Sequence, residues 1–352
     1  MTETVDLRSD TVTIPTAAMY RAMVKAPVGD DVLGDDPTVA RLERVAAERL
    51  RKEAALLFPS GTMANLAALM THTSPGDEVI LERRSHINWG EGGGISRLAG
   101  LQPKPVDAPT GALPVDVVRG LIVREDPYHW ARTALICIEN THNARGGVPL
   151  SVPDTQAIAR LASETGLRLH LDGARIFNAA VALGVPVHVL TEPVDSVMVC
   201  LSKGLSAPIG SLLAGRQGFI DHARKVRQML GGGMRQAGVV AAAGILALEE
   251  MTERLEEDHR LAKRLATGLA PIEGLSILPA RVRTNMVFVR IDGGIEVKAE
   301  LLKGLAQAGV LCQPWTGSVI RMVTHRGIAQ TDIELTIEAF RKKLQRSEAK
   351  QR

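Results

Sequence analysis

The sequence predicts a mainly parallel α/β sheet covered on both faces, followed by a smaller α+β unit, and three observations predict it. Short apolar runs alternate with segments of helical period as far as residue 250, the rhythm of crossover-connected parallel strands. Near Met251 the rhythm gives way to a long charged helix and then to a strand, helix, strand series. The chain also holds only three Trp, two Tyr and five Phe, so its core must be filled by Ala, Val, Leu, Ile and Met. At 352 residues it exceeds twice the ~150 of a typical single domain. Two domains are expected: 1–250, carrying an N-terminal arm, and 251–352.

Taken in order, 38–51 places Val39, Leu42, Val45, Ala46 and Leu50 on one helical face. A short apolar strand, 54–58, turns through Pro59, Ser60, Gly61 and Thr62 into a helix at 63–70. Pro75, Gly76 and Asp77 form a turn before a strand at 78–81. Further strands are expected at 134–138, 167–171 and 196–201, with a helix at 153–164 ended by Gly166. Beyond the charged helix 251–269 come a strand at 286–291, a helix at 298–308, a strand at 318–323 and a charged tail, 341–352, expected to fray.

Composition excludes several classes. Hydrophobic residues at 45% and charged residues at 23% rule out wholesale disorder. A net charge of +3, with no basic block interleaved with aromatics, argues against a nucleic-acid partner. Cys137, Cys200 and Cys312 form no CxxC pair, so neither a disulfide framework nor a metal site is expected, and a reducing cytoplasm is the expected compartment. The stretch 1–10 lacks the basic-then-apolar pattern of a signal peptide. The longest apolar run, 238–248, is about half of the ~20 residues a membrane helix requires, so no membrane association is expected.

Ligands of open α/β sheets collect beyond the carboxyl ends of the strands. Four such ends carry chemistry: Asp172-Gly173-Ala174-Arg175, Ser202-Lys203-Gly204, Ser60-Gly61-Thr62 and Glu139-Asn140-Thr141-His142. A lysine amine, a buried acid and a helix N-terminus with free N–H groups together suit pyridoxal phosphate, which needs an amine for its aldehyde, a carboxylate at its ring nitrogen and a phosphate cradle. Each item alone has a plainer reading. A lysine after a strand is usually a solvated loop end, Asp-Gly usually a turn, and Ser-Gly-Thr usually a simple N-cap. Their order along the chain is what favours the joint reading.

At these residues the chain closely resembles the low-specificity L-threonine aldolases, pyridoxal 5'-phosphate (PLP) enzymes of fold type I. The matching stretches are 6–12, 29–32, 58–65, 139–143, 170–178, 200–205 and 231–236, and the resemblance runs from about residue 5 to residue 340. It implies a fold-type I large domain with a seven-stranded-type sheet and retro-aldol cleavage of L-threonine, L-allo-threonine and related β-hydroxy-α-amino acids to glycine and an aldehyde. It implies that Lys203 carries the cofactor, Asp172 meets the ring nitrogen, and Gly61 and Thr62 hold the phosphate. His86 is implied to stack on the ring and to act as base or to orient a water, with His129 near the substrate hydroxyl. Ser9, Arg175 and Arg321 are implied to clamp the carboxylate, for which guanidinium geometry is suited. Arg235 is implied to reach a neighbouring subunit's phosphate, which calls for a homo-oligomer, a tetramer built as a dimer of dimers with shared sites.

Three departures bear on side-chain preference: Leu33 where many relatives carry an aromatic, Gln228 in place of a lysine, and a longer turn at 144–147. A phenylserine-type aldolase or β-eliminating lyase on the same scaffold is the nearest rival. A catalytically silent protein would not need the lysine, aspartate and arginine set, although fold alone does not imply activity. A dinucleotide-binding dehydrogenase would need GxGxxG after an early strand, and the glycines at 231–233 do not supply it.

Overall fold

A computed structural model describes residues 4–123 and 128–351. The chain divides into two compact units, Pro15–Thr252 and the combination of Met1–Ile14 with Glu253–Arg352.

The larger unit is built on a seven-stranded sheet. Its strands are β1 (Ala54–Phe58), β2 (Glu78–Glu82), β3 (Gln102–Val106), β4 (Thr133–Glu139), β5 (Arg168–Asp172), β6 (Ser196–Cys200) and β7 (Ser211–Gly215). They lie in the order β1-β7-β6-β5-β4-β2-β3. Pairing is parallel from β6 through to β3, while β7 runs antiparallel to both β1 and β6. The sheet is therefore mainly parallel, as the alternation predicts, with one inserted antiparallel strand. Leu56–Phe58, Val79–Leu81, Val197–Val199 and Leu212–Ala214 are buried without alternation, the pattern of strands covered on both faces. β3 carries Pro103 and Pro105 and stands at the edge, where a missing N–H disrupts no inner ladder.

Local chemistry sets the helix ends. Asp36 accepts the N–H groups of Thr38 and Val39 at 3.0 and 2.9 Å and so starts the helix Pro37–Leu50. Ser151 and Asp154 cap the helix Val152–Thr165 reciprocally, and Gly166 ends it in the left-handed region. The helix Gly61–His72 lays Ala64, Ala67 and Ala68 against Leu56, Phe58, Met198 and Leu213 of the sheet, with Met63 and Met70 packing at the margin. That small-residue face brings the start of the helix close to the sheet edge.

The smaller unit holds a four-stranded antiparallel sheet of Gln313–Pro314, Val319–Val323, Met286–Ile291 and Leu275–Ser276, in that order. Helices Leu255–Leu269, Gly294–Gln307 and Gln330–Gln351 accompany it, and Leu261, Leu265, Leu269, Val287, Ile320, Met322 and Phe340 form its core. One feature departs from expectation. Met1–Ile14 belongs to this unit rather than to the larger one, because Val5 and Leu7 donate to the carbonyls of Gly309 and Leu311, and Val323 donates to Leu7. The charged helix runs from Leu255 to Leu269, and the last helix continues to Gln351. No helix among the described residues is long and apolar enough to cross a membrane.

Candidate active site

Register brings the chemistry-bearing strand ends to one edge of the larger unit's sheet. Phe58 of β1 and Cys200 of β6 both lie opposite Ser211 of β7, Met198 opposite Asp172, and Asp172 opposite Glu139. Beyond this edge the chain continues into Gly61 and Thr62, into Lys203, and into Asn140 to His142.

Asp172 closes β5 and is 1% exposed. Its Oδ1 accepts the N–H of Ala174 at 3.1 Å, and its Oδ2 accepts Nδ2 of Asn65 at 3.1 Å. Gly173 follows because its N–H donates to the Met198 carbonyl, and a Cβ there would stand 2.8 Å from that oxygen. Lys203 occupies the loop between β6 and β7, half-buried. The loop is folded on itself by the N–H groups of Leu201, Ser206 and Ala207, which donate to the carbonyls of Gly210, Lys203 and Leu201. Gly61 and Thr62 open a 12-residue helix whose Ser60 cap accepts the N–H of Met63. The first two N–H groups of that helix have no partner among the described residues, and with the positive end of the dipole they form an anion cradle.

Asn65, fully buried on the same helix, ties the centre together. Its Nδ2 also donates to Glu91 Oε1 at 2.9 Å, and its Oδ1 meets Nε2 of His170 at 3.1 Å. From there the chain runs His170 Nδ1 to Ser196 Oγ at 2.8 Å and Ser196 Oγ to His72 Nε2 at 2.7 Å. The amide oxygen only accepts, so His170 carries its hydrogen on Nε2, Ser196 donates to Nδ1, and His72 donates to Ser196. Burial pushes His170 down to about 4 and His72 down to about 3, which keeps both rings neutral as this network requires.

His86 starts the short helix His86–Trp89, and its N–H donates to Glu139 Oε2 at 2.6 Å. Its Nδ1 lies 2.9 Å from Glu91 Oε1, the two side chains being 38% and 4% exposed. The hydrogen bond that His86 donates to Glu91 raises the His86 pKa against the opposing effect of burial, and Asp172 and Glu139 add to the rise. Burial raises that of Glu91, opposed by the bond to His86. One nitrogen or oxygen each of His86, Glu91 and Asp172 fall within 4.8 Å of one another.

The remaining expected residues are placed as follows. Arg175 stands at the N-terminal boundary of the helix Ile176–Leu183, three residues past Asp172, and is 7% exposed. Arg235 is 63% exposed at its side chain and pairs with Asp30 of its own chain at 3.0 Å. His129 is exposed on the segment before β4, its ring edge-on to Tyr128 at 6.2 Å. In the smaller unit, Ser9 caps the turn Asp10–Val12, and Arg321 donates to the Arg8 carbonyl at 3.3 Å over the Trp315 ring. Sequence reasoning singled out neither Glu91 nor Asn65 for a role. The signals were an acid set inside a glycine run, Gly90 to Gly94, and an amide one turn along the helix from Gly61.

Residues 6–294 match the family described as beta-eliminating lyase. The chain is 48% identical over 342 residues to low-specificity L-threonine aldolase 1 of Arabidopsis thaliana, covering 96% of this chain and 95% of that protein. It is 45% identical over 330 residues to the low specificity L-threonine aldolase of Escherichia coli O157:H7, covering 94% and 96%. Among solved structures it superposes on a Leishmania major threonine aldolase with a TM-score of 0.82 at 19% identity, covering 96% of this chain and 99% of that one.

Proposed function

The chain belongs to the beta-eliminating lyase family and, within it, to the low-specificity L-threonine aldolases, and from that premise we propose which residues carry the reaction. The reaction is cleavage of the Cα–Cβ bond of L-threonine and related β-hydroxy-α-amino acids, giving glycine and an aldehyde, with PLP as cofactor. When bound, PLP supplies an aldehyde carbon for the amine and a ring that takes up the electron pair of the broken bond.

The observation that carries the assignment is the shared edge: a buried acid at Asp172, a lysine at Lys203 and two free N–H groups at Gly61 and Thr62. These residues fit the cofactor. Gly61 and Thr62 would hold the phosphate, Lys203 the aldehyde carbon, and Asp172 a proton at the ring nitrogen. Two donors, Ala174 N–H and Asn65 Nδ2, hold the Asp172 carboxylate in place for this. Arg175 is assigned to the substrate carboxylate. His86 is assigned to stack on the ring and to take the proton of the β-hydroxyl through Nε2, which has no partner among the described residues. His129, and Ser9 and Arg321 of the smaller unit, keep their assignments to the substrate hydroxyl and carboxylate on the family resemblance.

We also propose a cytoplasmic homotetramer, a dimer of dimers in which Arg235 serves a neighbour's phosphate. Exposed Val24, Leu33 and Met229 offer apolar surface for contact between copies, and the three buried free thiols suit a reducing compartment. Light scattering of the purified protein tests the assembly. Incubation of the PLP-loaded protein with L-threonine and with L-allo-threonine tests the reaction. Glycine and acetaldehyde in equal amounts are expected; ammonia and 2-oxobutyrate instead would identify a β-eliminating enzyme.

A further inference from the structure

We infer that Glu91 is a positioning residue for the cleavage: it holds the hydrogen of His86 Nδ1, leaving Nε2 as the nitrogen that accepts a proton, and Asn65 joins it to Asp172. The inference rests on the reading of His86 as the base.

The geometry leaves little choice of tautomer. A carboxylate only accepts, so at 2.9 Å from Glu91 Oε1 the His86 Nδ1 must carry hydrogen. A neutral ring then has its lone pair on Nε2. Glu91 is itself fixed, since its side chain is 4% exposed and its Oε1 also accepts Asn65 Nδ2 at 2.9 Å. The same Nδ2 reaches Asp172 Oδ2 at 3.1 Å, so one amide sets the distance between the acid and the carboxylate that orients the base. Space for the ring comes from Gly90, where a Cβ would stand 2.7 Å from His86 Cδ2 and 2.9 Å from Nε2.

The charges around His86 are of one sign. Glu139 faces it from the end of β4, Asp172 from the end of β5 and Glu91 from the turn after its own helix. The helix Gly61–His72 contributes the neutral Asn65, and the helix Gly94–Arg97 carries Arg97, which is exposed. Glu91 alone among these makes a hydrogen bond to the ring, so removing its charge should lower the pH at which His86 titrates.

The test combines the pH profile of kcat/KM for the holoenzyme with NMR titration of the His86 imidazole in 15N,13C-histidine-labelled holoprotein. In Glu91→Gln the amide oxygen can still accept Nδ1–H, so the Nδ1–H form should persist while the His86 midpoint and the acid limb of kcat/KM both move to lower pH. In Glu91→Leu the ring should lose its single tautomer, and kcat should fall by roughly 10- to 100-fold, part of the 10²–10⁴ that general-base catalysis contributes. An unmoved midpoint and acid limb in Glu91→Gln, with a folded protein by circular dichroism, would overturn the inference. Full activity of His86→Phe would overturn it by a different route, because the reading of His86 as the base fails first. With His86→Phe impaired, only the Glu91 result decides the present point.

Discussion

Asn65 Nδ2 and Asp172 Oδ2 lie 3.1 Å apart, and neither side chain is reached by solvent beyond 1%. The contact spans 107 residues of chain and completes a line of donors that begins at His72 and ends on the carboxylate. Every link donates toward Asp172, so the carboxylate receives the last hydrogen of the line.

Asn65→Leu should therefore leave a buried His170 Nε2–H without an acceptor and Asp172 Oδ2 without its donor, with only the Ala174 N–H still reaching Oδ1. A loss of about 1–3 kcal/mol is expected for a buried group deprived of its partner. Urea denaturation of the apoprotein measures it, and PLP retention on dialysis should weaken in parallel.

Lys203 should be the residue that borohydride reduction labels with a pyridoxyl group. Peptide mass mapping reads the site, and label on any other lysine would remove Lys203 from the assignment. Lys203→Ala should lose turnover while keeping its circular dichroism spectrum.

Arg235 supplies a prediction about assembly. The Lys203→Ala and Arg235→Ala chains should each be inactive as homo-oligomers. Mixed after reversible dissociation, they should regain activity in hybrids, where one site keeps both residues. Hybrids proven by mass spectrometry but devoid of activity would mean that Arg235 acts within its own subunit, in keeping with its pairing to Asp30.

Gly90→Ala should damage the rate more than the fold. The new Cβ would meet the His86 ring at 2.7 Å and displace it, whereas at Gly94 the nearest atom is Leu66 Cδ1 at 3.9 Å. A marked fall in kcat for Gly90→Ala, with near-wild-type values for Gly94→Ala and melting temperatures close to wild type for both, is the expected pattern.

Acid should destabilise the larger unit through its buried histidines. His170 and His72 titrate near 4 and 3 when folded but near ~6.5 when unfolded. Above pH ~6.5 both states are neutral and the contribution is fully present. As pH falls from ~6.5 toward 4, the unfolded chain binds protons that the folded rings refuse, so stability declines. His72→Gln should make the fall of the urea midpoint between pH 6.5 and 4.5 shallower than in wild type; equal slopes would show that His72 does not contribute.

The sequence by itself determined what depends on neighbouring residues. Apolar runs at 54–58, 134–138, 167–171 and 196–201 mark strands within a residue or two of β1, β4, β5 and β6, because a doubly covered strand must be continuously hydrophobic. The same logic singled out Asp172, Lys203, Gly61 and Thr62 as candidates, each announced by a change from apolar to polar at a strand end. Tertiary structure decided what depends on residues distant in the chain. β7 enters antiparallel and β3 is a proline-bearing edge strand, and no local period distinguishes either. Val5 and Leu7 pair their backbone with Gly309 and Leu311, so the first residues join the last unit. Glu91 and Asn65 acquire their roles only when the turn after His86 and the helix Gly61–His72 converge on Asp172. A carboxylate's partner, and hence which nitrogen of a histidine stays open, is set by distances across the fold, and these do not appear in the order of residues.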